Sequence, residues 1–242
     1  MRDGEPIAAA LAALPVSEAV RSRLARYVAA LLARNATLNL TAARTPAAVA
    51  EHIQDSLALV RFAREPLIDI GSGGGFPAIP LAIATGYRVT ALESIAKKAA
   101  FLREVAQELE LDVEVVSARA EDVGRNAAYR ARFAAATARA VAGITTVLEL
   151  TVPFLAIGGL ALLQRGQFSE AERAAASDAA LVLGATIDRE VALPSNGTLA
   201  AGDHDQRRLL IARKLTATGP RFPRRVGIPA KRPLCTPAPA HG

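Results

Sequence analysis

The stretch Leu67–Pro80 reads LIDIGSGGGFPAIP and decides the fold of the chain. Its first four residues form an apolar run around one acid, Asp69, which is typical of a strand buried in a parallel sheet. A glycine loop follows at once, and an apolar segment of helical length runs from Pro77 to Thr85. A strand, a glycine turn and a helix in this order bring backbone N–H groups against a nucleotide-like ligand, because glycine has no Cβ to hold the ligand away.

The glycine loop also indicates which nucleotide-like ligand fits. Gly71, Gly73 and Gly75 follow the pattern GxGxG. The sixth position is Phe76, so the dinucleotide pattern GxGxxG is absent, and no Gly-Lys-Ser/Thr follows to make a phosphate-binding P-loop. The carboxylate of Asp69 would repel phosphate and suits a cationic or hydroxyl-rich ligand. The loop therefore favours S-adenosylmethionine, although a tight strand-to-helix turn without a ligand is the alternative.

Strands and helices alternate outward from this stretch, which predicts an α/β fold with a parallel sheet. The predicted strands are 67–71, 87–92, 113–117, 134–138, 159–164, 185–193 and 207–215. The predicted helices among them are 77–85, 95–109, 143–156 and 169–183. No helix fits between the last two strands, which should pair antiparallel. A seven-stranded, mostly parallel sheet with a final antiparallel hairpin is the Rossmann-like class I methyltransferase fold.

Two further helices are predicted before the first strand. Ser17 can cap one helix over residues 17–34, and Thr45-Pro46 can start a second that runs to about residue 64. We therefore expect an N-terminal helical cap (1–65), a methyltransferase core that binds S-adenosylmethionine (66–216) and a basic, proline-rich C-terminal tail (217–242).

Composition excludes several classes of function. Hydrophobic residues make up 51% of the 242 residues, there is a single cysteine, and the three histidines are scattered, so we expect no disulfide and no metal site. No apolar run reaches the ~20 residues of a membrane span, and no secretory signal is recognisable. The sequence predicts a cytoplasmic protein, expected to be a monomer, without a membrane partner.

The charge is concentrated near the C-terminus. The chain has a formal net charge of +6, and residues 213–232 contain seven basic residues and no acid. Such a run is the electrostatic footprint of a protein that binds a polyanion, and a solvated, disordered terminus is the alternative.

Three more polar positions follow predicted strands. Glu93 follows the second strand, where an acid can accept hydrogen bonds from both ribose hydroxyls of a nucleoside. Ala120 and Glu121 follow the third strand, where backbone groups and an acid can read an adenine edge. Arg139 ends the fourth, at the sheet edge where open α/β sheets bind ligands. Each has a purely structural alternative: a surface acid, a polar loop and an ion pair.

Five segments together resemble one known family. They are 31–41 (LLARNATLNLT), 51–57 (EHIQDSL), 68–80, 92–102 (LESIAKKAAFL) and 223–234 (PRRVGIPAKRPL). They are similar to the family segments LLxxNxxxNLT, RHxxDS, DxG[ST]GxG[FL]PGIP, L[DE]SxxK[KR]xxFL and a basic C-terminal signature. The family is the bacterial 16S rRNA guanine-N7 methyltransferase, long called glucose-inhibited division protein B. The chain departs from it at Gln54, Ala78 and Arg165, where the family usually has an apolar residue, glycine and lysine.

The resemblance implies methyl transfer from S-adenosylmethionine to N7 of a guanine, expected at guanine 527 in the decoding-region loop of 16S rRNA. The partner would be that rRNA in the small ribosomal subunit or its precursor. The implied cofactor residues are Asp69, Gly71, Gly73, Gly75, Phe76, Glu93, Ala120, Glu121 and Arg139.

Guanine N7 carries a lone pair and no proton, so the reaction needs alignment and no general base, and no catalytic acid or base is predicted. The residues predicted to contact RNA are Arg119, Arg165, Arg207, Arg208, Arg224, Arg225 and Lys231. Asn39, His52 and Asp55 could position the target base, but we expect them to tie the N-terminal cap to the sheet.

Three other functions stay open at this point. A small-molecule methyltransferase of the same fold would make the basic terminus incidental. A non-enzymatic RNA-binding assembly factor would have kept a decayed cofactor fold, which the intact glycine loop and Glu93 argue against. A dinucleotide oxidoreductase is disfavoured by Phe76 and by the final hairpin.

Overall fold

The computed structural model describes residues 4–139, 143–193 and 207–234. Seven strands lie in these residues: β1 (Leu67–Ile70), β2 (Val89–Leu92), β3 (Val113–Val116), β4 (Phe133–Arg139), β5 (Leu155–Arg165), β6 (Ala185–Ala192) and β7 (Arg208–Lys214). Their order in the sheet is β3-β2-β1-β4-β5-β7-β6. The pairs β1/β2, β2/β3 and β4/β5 are parallel, and the pairs β5/β7 and β6/β7 are antiparallel. The predicted seven-stranded, mostly parallel sheet with a final antiparallel hairpin is confirmed; the predicted hairpin loop, 194–206, lies outside the described residues.

The described residues also form nine helices: α1 (Gly4–Leu11), α2 (Glu18–Leu38), α3 (Pro46–Leu57), α4 (Ala78–Thr85), α5 (Ala96–Glu108), α6 (Ala120–Val123), α7 (Ile144–Thr151), α8 (Glu170–Val182) and α9 (Ile228–Lys231). The caps predicted at Ser17 and Thr45 are confirmed, since their hydroxyls accept from Val20 N and Ala48 N. Three helices precede the first strand where we expected two. Helix α1 was not predicted, and its Pro6 fits a helix because proline is tolerated in a first helical turn.

Three predicted helix ends were wrong. The helix predicted to run from Thr45-Pro46 to about residue 64 ends at Leu57. Helix α2 was predicted to end at residue 34 but continues to Leu38, because nothing breaks it before Asn39, which ends it at φ 49°. The predicted helix 143–156 ends at Thr151, and Val152–Phe154 form a 3-10 turn before β5. Pro153 explains this, because proline has no N–H to continue the helix and its ring clashes with the preceding turn.

The chain divides into two compact units after Ala118. In the first unit the parallel strands β3-β2-β1 carry the helices α1 to α5, and the carboxyl ends of β1 and β2 lie side by side, with Ile70 opposite Leu92. In the second unit β4, β5, β7 and β6 form the sheet, and all eight residues of α7 are buried. The division into cap, core and tail at residues 65 and 216 stays a prediction.

Candidate active site

The glycine loop of the first unit leaves the end of β1 in a tightly bonded turn. The N–H groups of Gly71 and Ser72 both donate to Leu92 O, at 2.8 and 3.2 Å, and Gly75 N donates to Ser72 O at 2.7 Å. Gly71, Gly73 and Gly75 have φ values of 75°, 55° and 108°, in the left-handed region that favours glycine. The predicted turn is therefore present, and its glycines serve the backbone as well as any ligand.

Glu93 closes this loop with both carboxylate oxygens. Its Oε2 accepts from Gly73 N and its Oε1 accepts from Ile95 N, each at 2.8 Å, and the residue is 5% exposed. A carboxylate has about four lone-pair sites, so two remain for further donors. Glu93 thus pre-orders the loop and keeps the capacity to accept ribose hydroxyls. The sequence predicted only the second of these roles.

Helix α2 also supports the glycine loop, through Tyr27, whose role the sequence pattern did not predict. The Tyr27 hydroxyl donates to Gly74 O at 2.8 Å, and its ring packs edge-on against Phe76 at 5.6 Å. The ring of His52 contacts Phe76 in the same way, at 5.3 Å. Tyr27 is fully buried among Leu24, Val28 and Leu31, and an aromatic with a polar head inside that apolar stripe was the available signal.

Segment 31–41, one of the five that resemble the family, packs against the glycine loop. Asn35 is buried; its amide nitrogen donates to Thr41 O and Ala43 O, and its amide oxygen accepts from Thr41 N. This fixes Leu40, whose carbonyl oxygen would lie 3.2 Å from a Cβ on Gly74. Asn39 ends α2 and accepts from Arg44 Nη2 at 2.7 Å. We therefore infer that Asn35 and Asn39 fix the conformation of segment 31–41. Asp55 is buried in α3 of the same unit.

Asp69, Gly71, Gly73, Gly75, Phe76 and Glu93 are thus gathered at the carboxyl ends of β1 and β2. Asp69 is 1% exposed within β1, and Ser72 Oγ donates to its carbonyl oxygen at 3.2 Å. Gly71 is exposed and Gly73 half-exposed, whereas Gly74 and Gly75 are buried. The two accessible glycines are the ones a ligand can approach.

In the second unit, Ala120 and Glu121 open the short helix α6, and the exposed Arg119 is its N-cap residue. Ala120 and Glu121 are both buried, and Glu121 Oε1 accepts from Gly227 N at 2.9 Å. Arg139 ends β4 opposite Gln164 and is half-buried. The predicted cofactor roles of these three residues stay predictions, and Glu121 has a structural partner that the sequence did not indicate.

The basic C-terminal run is folded onto the second unit. We call residues 216–233 the C-terminal strap. Glu149 of α7, with 0% exposure, holds the strap by accepting from Arg224 N at 2.8 Å, from Arg224 Nε at 2.9 and 3.0 Å and from Arg224 Nη2 at 2.6 Å. Glu149 is the one acid in the apolar sequence ITTVLELT of α7. A buried carboxylate needs a partner, so this residue could have indicated from the sequence that a cation lies beside it.

Carbonyl groups of the strap are bound by two more arginines. Arg130 donates to Phe222 O at 2.6 Å and to Thr218 O at 2.7 Å, and Arg125 Nε donates to Pro223 O at 2.9 Å. Lys214 just before the strap is 2% exposed and donates to Val152 O at 2.8 Å and to the Thr218 hydroxyl. Burial, with a smaller contribution from Arg130, lowers the pKa of Lys214 to about 8. A disordered C-terminus is therefore wrong for residues 216–233.

The residues predicted to contact RNA differ in their surroundings. Arg119, Arg225 and Lys231 are exposed. Arg165 pairs with Glu172 at 3.0 Å, and Arg208 approaches Glu190 at 3.7 Å. Arg207 and Arg208 are half-buried, and Arg224 is held by Glu149. The assignment of Arg224 to RNA stays a prediction, and its buried ion pair weighs against it.

The described residues also bear on metal binding and on membrane insertion. Among these residues no group of three or more His, Cys, Asp or Glu side chains is placed to hold a metal ion. No helix within them is both long and apolar enough to cross a membrane.

Comparison with known sequences gives consistent matches. The family model described as rRNA small subunit methyltransferase G matches residues 21–195. The chain is 43% identical over 229 residues to ribosomal RNA small subunit methyltransferase G of Chloroflexus aggregans, covering 91% of this chain and 93% of that protein. It is 43% identical over 215 residues to the protein of the same name from Rubrobacter xylanophilus, covering 85% of this chain and 81% of that one.

Solved structures resemble the fold at low sequence identity. The branched-chain polyamine synthase C9 mutein of Thermus thermophilus, in complex with N4-aminopropylspermidine and 5'-methylthioadenosine, matches with a TM-score of 0.57 and 16% identity, over 82% of this chain and 65% of that chain. M. jannaschii TYW2 in complex with AdoMet matches with a TM-score of 0.52 and 16% identity, over 67% of this chain and 74% of that chain. At this identity the likeness concerns the fold alone.

Proposed function

The chain belongs to the rRNA small subunit methyltransferase G (GidB) family, and we propose that it transfers the methyl group of S-adenosylmethionine to N7 of a guanine in 16S rRNA. The target we propose is guanine 527 of the decoding-region loop, in the small ribosomal subunit or its precursor. The observation that carries this proposal is the glycine loop closed by Glu93, in a chain that aligns with these methyltransferases over most of its length.

The residues of the first unit fit S-adenosylmethionine. A Cβ on Gly73 would make only ordinary van der Waals contacts, at 3.8 Å, and Gly73 is half-exposed, so a ligand can approach its backbone. Asp69 and Glu93 place two carboxylates at the ends of β1 and β2. Carboxylates suit hydroxyl donors and a sulfonium cation and would repel a pyrophosphate. We therefore propose that Asp69, Gly71, Gly73, Gly75, Phe76 and Glu93 bind the cofactor. The roles of Ala120, Glu121 and Arg139 there stay predictions.

When bound, S-adenosylmethionine supplies an electrophilic methyl group. The lone pair of guanine N7 forms the new N–C bond as the C–S bond breaks, and sulfur keeps that electron pair. Guanine N7 loses no proton, so the protein needs no general base. What its residues contribute is orientation: the loop fixed by Glu93 and Tyr27 limits where the methyl group can lie.

RNA would be held by exposed cations of the second unit. Four of them lie within twelve residues of the strap: Arg221, Arg225, Lys231 and Arg232. Lysine and arginine contacts to phosphates supply sequence-independent affinity that falls as salt rises. N7 lies on the edge of guanine that faces the major groove. This groove is narrow and deep in A-form RNA, so we expect the target guanine to lie in an irregular loop. We place this activity in the cytoplasm and expect the protein to act as a monomer.

The decisive experiment is methyl transfer. Incubation with labelled S-adenosylmethionine and small ribosomal subunits that lack the modification should label one guanine at N7, and naked 16S rRNA and precursor particles identify the preferred substrate. Label on a small molecule, or cofactor binding without any transfer to rRNA, would contradict the proposal. The first result would favour a small-molecule methyltransferase and the second an assembly factor.

We expect the substitution Glu93→Ala to weaken binding of S-adenosylmethionine by about 1–3 kcal/mol. It removes the acceptor proposed for the ribose hydroxyls, and it also frees Gly73 N from the loop closure. Titration calorimetry measures the effect, with Asp112→Ala as a control that removes the same charge from an exposed site in the same unit. Equal affinities for the wild type and Glu93→Ala would sink the ribose assignment.

A further inference from the structure

Glu121 lies in the segment predicted to read the adenine, yet its carboxylate is engaged elsewhere. The residue is 8% exposed, and its Oε1 accepts from Gly227 N at 2.9 Å. Gly227 has φ 79°, so the strap turns sharply at the residue whose N–H points to Glu121. A hydrogen bond from a backbone N–H to a carboxylate is stronger than one between neutral groups. Glu121 therefore fixes the position of this turn.

The turn at Gly227 separates the exposed cations of the strap. Arg225 lies two residues before it, and Lys231 lies four residues after it, in helix α9. The strap is also anchored on either side of the turn, by Glu149 at Arg224 and by the Thr146 hydroxyl, which donates to Pro229 O at 2.9 Å. The bond to Glu121 is the anchor between these two. It holds the strap at the turn that separates the exposed cations before Gly227 from those after it.

We propose that Glu121 is a positioning residue for RNA: through Gly227 N–H it holds the strap in the shape in which Arg225 and Lys231 contact RNA phosphates together. This inference rests on the proposed rRNA substrate. The proposed role predicts a change in RNA affinity opposite to the one that electrostatics alone predicts. Removing an acid next to a basic surface should strengthen RNA binding by simple electrostatics, because one repulsive charge is gone. If Glu121 positions the strap, removing its side chain weakens RNA binding instead.

The experiment measures RNA affinity without cofactor, so that any contact of Glu121 with S-adenosylmethionine cannot contribute. Full-length wild type, Glu121→Ala, Glu121→Gln and Asp122→Ala bind a labelled 16S rRNA fragment containing the decoding-region loop at one fixed salt concentration. Glu121→Ala should bind about threefold to tenfold more weakly. Glu121→Gln keeps an oxygen acceptor for Gly227 N and should bind at least as tightly as the wild type. Asp122 is the exposed neighbouring acid, and Asp122→Ala should show no loss.

A second measurement does not depend on RNA. Hydrogen exchange at the Gly227 amide should be slow in the wild type and in Glu121→Gln, and about tenfold faster in Glu121→Ala. An unchanged exchange rate of the Gly227 amide in Glu121→Ala would show that Glu121 does not anchor the strap. RNA binding by Glu121→Ala as tight as that of the wild type, or Glu121→Gln as weak as Glu121→Ala, would overturn the positioning role. A wild type that binds RNA without methylating it would contradict only the proposed function.

Discussion

Replacing Arg224 by Gln should lower the free energy of unfolding by about 3–5 kcal/mol, whereas the same replacement at Arg225 should change it by less than about 0.5 kcal/mol. The two arginines are neighbours in sequence and carry the same charge. Arg224 is bound by Glu149, which has no exposed surface, while Arg225 is exposed. Removing the guanidinium of Arg224 leaves an uncompensated carboxylate inside the second unit, and that is the source of the loss.

Urea unfolding of both variants measures these energies, and RNA titration over a range of salt measures their second effect. Arg225→Gln should leave stability unchanged and reduce the slope of log affinity against log salt by about 1, as loss of one phosphate contact does. The double variant Glu149→Gln with Arg224→Gln removes both charges and should recover part of the stability lost in Arg224→Gln. Equal stability of the two single variants would mean that the strap does not depend on this ion pair.

The strap shows where prediction from sequence stops. A run of seven basic residues without an acid indicated a polyanion-binding terminus, and several of its cations are indeed exposed. The sequence could not show that Arg224 is bound to Glu149, because their partnership spans 75 positions and depends on the packing of α7. For the same reason, truncating the chain at residue 215 would not test RNA binding alone: it would strip the partners of Glu149 and of the Arg130 guanidinium.

The first unit was more predictable because its signals are local. The apolar run of β1, the glycine spacing and the acid after β2 all lie in short segments whose geometry follows from adjacent parallel strands. The sequence therefore predicted correctly that Glu93 lies beside the glycine loop. It did not predict the position of Tyr27, because the hydrogen bond from Tyr27 to Gly74 joins residues 47 positions apart. The sequence predicted the helix that carries Tyr27, but it could not predict which part of the fold that helix covers.

Gly75 is the residue of the loop at which a single methyl group should have the largest effect. A Cβ there would lie 2.7 Å from Ile79 Cγ1 and 3.0 Å from the Tyr27 hydroxyl, and φ is 108°. Backbone strain and overpacking each cost about 1–3 kcal/mol, so we expect Gly75→Ala to lower the free energy of unfolding by about 3–5 kcal/mol. Because the methyl group also displaces Tyr27 from Gly74, affinity for S-adenosylmethionine should fall at least about tenfold, which is about 1.4 kcal/mol.

Gly86→Ala is the matched control, since Gly86 also has a positive φ, 71°, but a Cβ there would meet nothing within 4 Å. It should cost about 1–2 kcal/mol of stability from backbone strain alone and leave cofactor affinity unchanged. Urea unfolding and calorimetry on both variants, at a temperature where each is folded, separate strain from displacement of the loop. If Gly75→Ala bound S-adenosylmethionine as tightly as Gly86→Ala, contact with Tyr27 would not determine the shape of the loop. The N-terminal helices would then support the fold without shaping the cofactor site.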